Sequence, residues 1–212
     1  MNDKLKLYDE LLLKKNSVIL IYGEAGTGKT NLVLHLLTRI RNEKCKGIYV
    51  STEGKTYQAL IDKERFNHIL FVEVYSMEQL NKLFLELIPY VIGKDVRVVV
   101  IDTINSLYRL QEDLEYAVIA LNMQLAMLHK LSRMGCTAII TGQVRGQLEE
   151  SHITTASIDV SGALYLRFWS DVIIRLERMG VRRMLIVEKP INMKLGFKIE
   201  GPAKIAFYKL LQ

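Results

Sequence analysis

The octapeptide Gly23-Glu24-Ala25-Gly26-Thr27-Gly28-Lys29-Thr30 fits G-x-x-x-x-G-K-[ST] without a mismatch. Glycines in this pattern let backbone N–H groups turn inward around phosphate oxygens, where a side chain would block the approach. A helix starting at the end of the loop points its positive end at the same oxygens. Lys29 can bridge β- and γ-phosphate oxygens, and the Thr30 hydroxyl can ligate Mg²⁺. The ligands implied are ATP and Mg²⁺. The cradle is Gly23, Glu24, Ala25, Gly26, Thr27, Gly28, Lys29, Thr30 and Asn31.

Three more polar residues stand where apolar runs end. Asp102 closes Val96-Arg97-Val98-Val99-Val100-Ile101. That is the place of a carboxylate that steers Mg²⁺ beside a phosphate loop, although Thr103 and Asn105 after it also suit a helix cap. Glu53 closes Gly47–Thr52. A carboxylate there stands at the carboxyl edge of a sheet, where α/β ligands bind, and could polarise an attacking water. From position alone a solvated loop acid serves equally well. Gln143 follows Cys136–Thr141. A neutral amide beside a γ-phosphate can report its presence and move the chain behind it, while position alone favours an ordinary turn.

The elements that must hold these residues alternate in type. Apolar runs at Ser17–Tyr22, Gly47–Thr52, His68–Tyr75, Val96–Ile101 and Cys136–Thr141 read as strands, and those apolar throughout suit a parallel sheet covered on both faces. Leu32, Leu36 and Leu37 mark a helix over 28–41. Met77, Leu80, Leu83, Phe84, Leu87, Ile88 and Val91 mark a second. Leu114, Ala117, Val118, Leu121, Leu125, Leu128 and Leu131 mark a third. Met123 and Met127, four apart on that helix, read as core packing, and Trp169 as core or interface. Residues 144–161 are polar and without period, a loop. Strands at Asp171–Glu177 and Arg183–Glu188, joined by a turn at 179–181, precede short strands at Phe197–Ile199 and Ile205–Tyr208. The sum is an α/β fold, parallel at its centre and antiparallel at its C-terminal edge, in one domain spanning 1–212.

Half of the residues are hydrophobic and a quarter are charged, an ordinary globular balance. Residues 1–161 carry 19 Lys/Arg and 19 Asp/Glu, whereas residues 162–212 carry 10 and 4, so the last quarter holds the whole net charge of +6. Such a segment attracts a polyanion or an acidic partner, or is simply a solvated surface. Cys45 and Cys136 make no metal or redox spacing and read as small buried thiols beside strands. With no signal-peptide pattern and no apolar run long enough to span a bilayer, the expectation is a cytoplasmic protein away from membranes.

Four segments in order resemble the RecA/RadA recombinase ATPase core: Gly23–Asn31 (GEAGTGKTN), Tyr49–Gly54 (YVSTEG), Val98–Arg109 (VVVIDTINSLYR) and Ala138–Val144 (AIITGQV). A fifth, Phe168–Arg178, resembles the strand after that family's second DNA-binding loop. The likeness is to the short archaeal paralogues of the RadB type. It implies a RecA-like P-loop NTPase with Glu53 as catalytic glutamate and Gln143 as γ-phosphate sensor. It also places the Ala138–Val144 strand between those of Gly23 and Asp102. Residues 109–116 and 145–161 match the first and second DNA-binding loops. Implied partners are the main RecA/RadA-type recombinase and single-stranded DNA, the latter through 145–161 and the basic C-terminal segment, with Arg175, Arg178, Arg182 and Arg183 as candidates.

The departures set expectations too. Only residues 1–16 precede the first strand, so the family's N-terminal DNA-binding domain is not expected. No Phe-x-x-Ala oligomerisation motif occurs, Gly142 replaces an asparagine before Gln143, and no adenine-stacking arginine follows Gly54. Glu149, Glu150 and Asp159 outnumber Arg145 and His152 in the second loop. In that family's filaments a neighbouring subunit caps the nucleotide, and Lys189-Pro190 falls near the capping position. These features imply an accessory protein with slow hydrolysis rather than an autonomous strand-exchange filament. A KaiC-like signalling ATPase is the second reading, although Glu53-Gly54 stands where such proteins carry two adjacent glutamates.

Overall fold

A computed structural model describes residues 10, 11, 14–40, 46–93, 96–143, 162–180 and 182–208. The expected loop at 145–161, Cys45 and Val181 lie outside these residues. The described strands are β1 (Val18–Gly23), β2 (Lys46–Ser51), β3 (Ile69–Glu73), β4 (Val96–Asp102), β5 (Thr137–Gln143), β6 (Val172–Met179), β7 (Arg182–Lys189), β8 (Met193–Gly201) and β9 (Lys204–Tyr208). They form one sheet in the order β3-β2-β4-β5-β1-β6-β7-β8-β9. Pairings from β3 across to β6 are parallel, and those of β6–β7, β7–β8 and β8–β9 are antiparallel. The expected architecture is present, with β5 between β1 and β4.

Strand alternation divides the core into two layers. Val18, Leu20, Tyr22, Val99, Ile101, Ala138 and Ile140 point to one face. There they meet helices α2 (Met77–Gly93) and α3 (Leu114–Arg133). Ile19, Ile21, Val98, Val100, Ile139, Ile174 and Leu176 point to the other face, against helix α1 (Lys29–Arg39). Because β1, β4 and β5 are covered on both faces, their sequences are apolar without alternation. Cys136 is buried just before β5, and burial pushes its thiol up to about 12.

Differences from the sequence reading concern ends and faces. Residues 54–60 form a 3₁₀ segment after Glu53, and Ala163–Trp169 form a short helix, α4, ahead of β6. Both are too short to show a period. Met123 is exposed, whereas Met127 packs on the core. The expectation of packing fails at Met123 because it lies just beyond the apolar stripe that turns inward. Trp169 is half-buried and donates to Asn122 Oδ1 at 3.2 Å. Asp113 caps α3, accepting from Tyr116 N–H at 3.0 Å. No helix among the described residues is long and apolar enough to cross a membrane.

Candidate nucleotide site

Strand register brings the chemistry-bearing residues to one edge of the sheet. Gly23, the last residue of β1, pairs with Gln143, the last of β5, and Ser51 of β2 pairs with Asp102 of β4. All four strands are parallel, so their carboxyl ends open on the same crevice. Between β1 and α1 the backbone takes left-handed φ values of 75° at Gly26 and 103° at Gly28, which disfavour any side chain. Gly28 then caps α1, whose first turn carries Lys29 and Thr30.

Lys29 is buried and donates to the carbonyls of Gly23 and Glu24, both at 2.9 Å. Burial holds its ammonium below the ordinary lysine value, Asp102 and Glu53 pull it back up, and Arg109 adds to the depression. The lysine is therefore a cation inside a small cluster of charges rather than a surface group.

Asp102 is buried and accepts three hydroxyl hydrogens. Thr30 donates to Oδ2 at 2.8 Å, Thr141 donates to Oδ1 at 2.5 Å, and Tyr49 also donates to Oδ2. Burial, reinforced by the Asp102 carboxylate, pushes the Tyr49 phenol far up, so it remains a protonated donor. A carboxylate surrounded by donors stays in place, and it takes the Thr30 hydrogen so that the hydroxyl oxygen can face a cation. The helix-cap alternative for Asp102 does not apply, since the Asp102 carboxylate points at β1–α1 and at β5. Its peptide bond to Thr103 is cis.

Beyond Asp102 the chain is pinned to the ends of β2 and β5. Thr52 accepts from Thr103 N–H at 3.0 Å and donates through Oγ1 within a cluster with the Thr103 carbonyl and Ser106 Oγ. Thr103 Oγ1 donates to Glu53 Oε1 at 3.1 Å, which joins the exposed Glu53 to the segment after β4. Asn105, fully buried, donates to the Gln143 carbonyl at 3.0 Å and accepts from Gln143 N–H at 3.0 Å.

The structure thus brings Lys29, Thr30, Glu53, Asp102 and Gln143 to one crevice. Asn31 is turned elsewhere: its Oδ1 accepts from Ala203 N–H, in the β8–β9 turn, at 3.2 Å. Sequence reasoning missed Tyr49, Thr141 and Asn105. The available signal was a hydroxyl inside a buried strand, or an amide beside one, since such groups require a partner.

The four C-terminal arginines do not share a surface. Arg175 faces the α3–α4 side, where its Nε donates to Glu188 Oε1 at 2.9 Å and its Nη1 pairs with Glu177. Glu188 also accepts from Tyr22 at 2.8 Å and from Arg167 at 2.7 Å. Arg178 and Arg183 are paired across β6 and β7 on the opposite side, toward α1. Arg182 is exposed. Lys189 lies near the far end of the sheet from its own phosphate loop and donates to the Ser170 carbonyl at 2.6 Å.

A family described as "ATPase: KaiC" matches residues 6–195. The chain is 31% identical to the DNA repair and recombination protein RadB of Archaeoglobus fulgidus, over 97% of this chain and 92% of that one. It is 32% identical to the RadB of Methanococcus maripaludis over 90% and 91% of the two chains, and 30% identical to that of Methanocaldococcus jannaschii over 86% and 90%. With its phosphate loop, its Asp102 and its strand order in place, the chain belongs to the RecA-family ATPases as a RadB-like recombinase paralogue.

Proposed function

We propose that this chain binds ATP with Mg²⁺, hydrolyses it slowly, and uses the nucleotide to set its affinity for single-stranded DNA or for the main RecA/RadA-type recombinase. The observation that carries the reading is the 2.8 Å hydrogen bond from Thr30 to Asp102, beside the buried Lys29. A hydroxyl oxygen backed by a carboxylate suits Mg²⁺, which takes few protein ligands and fills its shell with phosphate oxygens and water. When bound, the ion offsets charge on the phosphate oxygens.

The protein's own groups then have distinct tasks. Loop N–H groups from Gly23 to Thr30 hold the phosphates, and Lys29 neutralises them. Glu53 takes the proton of the attacking water, held toward the crevice by the Thr103 hydroxyl. Gln143 senses the γ-phosphate and passes the change to the segment that follows it. DNA repair and recombination, named for the RadB relatives, is the setting this supports. DNA would be met by residues 145–161 and the basic C-terminal segment, with Arg182 the exposed candidate.

The test has two arms. Pull-down of the cell's main recombinase with and without ATP is expected to differ. Binding to single-stranded DNA is expected to weaken steeply with salt, because bound phosphates release counterions. A chain that binds Mg²⁺-ATP but ignores both partners supports the KaiC-like signalling reading, which the matched family description also permits. Steady-state turnover near ~1 s⁻¹ by the isolated protein, within the common enzyme range, would contradict slow hydrolysis.

A further inference from the structure

Two guanidinium groups run alongside the phosphate loop on the α1 face of the sheet. Arg178 of β6 and Arg183 of β7 are direct cross-strand partners. A Cβ built on Gly26 would lie 3.6 Å from Arg178 Nη1, and one built on Gly28 would lie 3.7 Å from Arg183 Cδ. Each side chain therefore reaches a different glycine of the loop. Arg178 Nε donates to the Gly180 carbonyl at 3.0 Å, while Arg183 Nε is buried without a hydrogen-bond partner. Neither arginine forms an ion pair with another described residue.

Like charges directly opposite on a sheet repel, and a buried donor without an acceptor is costly. The same hairpin shows how arginines are satisfied elsewhere: Arg175, on the other face, holds both Glu177 and Glu188. The α1 face gives Arg178 and Arg183 no such carboxylate among the described residues. A polyanion seated in the loop supplies what both lack, and guanidinium forks match phosphate oxygens in geometry.

We infer that Arg178 and Arg183 are polyphosphate-binding residues of the same chain, acting with Lys29 on the nucleotide. The inference rests on the nucleotide site proposed above. It moves both arginines from a DNA surface to the nucleotide, and it makes nucleotide retention independent of a second copy. Their contribution scales with phosphate charge, so ATP and ADP gain from the pair and AMP gains little.

Calorimetry of ATP, ADP and AMP with Mg²⁺ on the full chain tests this. The variants are Arg178→Gln, Arg183→Met, which keeps an apolar stem opposite Phe197 of β8, and Lys82→Gln, exposed on α2, as a control outside the site. Arg178→Gln and Arg183→Met are each expected to weaken ATP and ADP by about tenfold or more, the cost of a lost charged hydrogen bond. Lys82→Gln is expected to match the unaltered chain. Should Arg183→Met fail to fold, Arg183→Lys replaces it, with a smaller loss expected. Unchanged affinity in Arg178→Gln and in the folded Arg183 variant, while the unaltered chain binds ATP, overturns the arginine pair alone. An unaltered chain that takes up no nucleotide overturns the site and the pair together.

Discussion

Asn105 and Gln143 are joined by two reciprocal hydrogen bonds, each 3.0 Å long, from one side-chain amide to both polar groups of one backbone residue. Asn105 thereby extends the edge of β5 as another strand would. The two bonds tie the segment after Asp102 to the residue that leads out of β5.

Replacing Asn105 with Ala leaves the Gln143 N–H and carbonyl without these partners. A buried unsatisfied group costs ~1–3 kcal/mol. A loss of about 2 kcal/mol corresponds to a melting temperature lower by roughly 4–8 °C in a chain of this size. Thermal unfolding followed by circular dichroism checks it, and an unchanged midpoint would show that water replaces the amide at no cost.

Asp102→Asn keeps the shape of the side chain but removes the charge that receives the Thr30 hydroxyl hydrogen. ATP binding by this variant is expected to lose most of its dependence on Mg²⁺, and Thr30→Ala to behave the same way. The readout is the ratio of ATP dissociation constants in Mg²⁺ and in chelator. A ratio like that of the unaltered chain would remove Thr30 and Asp102 from the metal site.

Lys29 gives a pH dependence whose sign follows from its burial. Its value in the free protein lies below that of an ordinary lysine. A bound triphosphate favours the charged form, so ATP uptake draws in a proton wherever free Lys29 has begun to lose its own. Affinity is then expected to fall as pH climbs through that value. The same depression means the unfolded chain holds its proton longer, so folding stability attributable to Lys29 rises with pH over this window. Calorimetry in buffers of different ionisation heat detects the proton. A dissociation constant flat between roughly pH 7 and pH 10, the approach to the normal lysine value, would contradict the argument.

Glu53→Gln is expected to preserve ATP binding and to lower turnover by about 10²-fold or more, the usual contribution of a general base. Single-turnover hydrolysis measured at saturating Mg²⁺-ATP distinguishes this from a binding defect. Equal rates would make Glu53 a surface acid that happens to meet Thr103.

Local sequence carried much of this site because its parts are contiguous or sit at the ends of single strands. The run Val18–Thr30 contains strand, loop and helix start together, and the steric demands of Gly26 and Gly28 are satisfied within it. Asp102 was legible as a carboxylate ending an apolar strand, whereas Gln143 by position alone read as an ordinary turn residue and took its role from the family likeness. Glu53 and the place of β5 drew on ordered likeness to a family. Helices α2 and α3 announced themselves by period, although period alone put Met123 inside when it lies at the margin of the stripe.

Register between distant strands decided the rest. Tyr49 donates to Asp102, 53 residues away, and Thr141 reaches it from 39 residues away, only because β2, β4 and β5 pair at one offset. A slip of one residue would send those side chains to the other face. The same parity sends Arg175 toward Glu188 and turns Arg178 and Arg183 to the phosphate loop, although charge and spacing made all of them look alike. The sequence by itself determined that this chain has a phosphate loop backed by a carboxylate. Tertiary structure decided which side chains surround that carboxylate and which arginines lie beside the loop, because neighbours across a sheet are set by pairing that no local window contains.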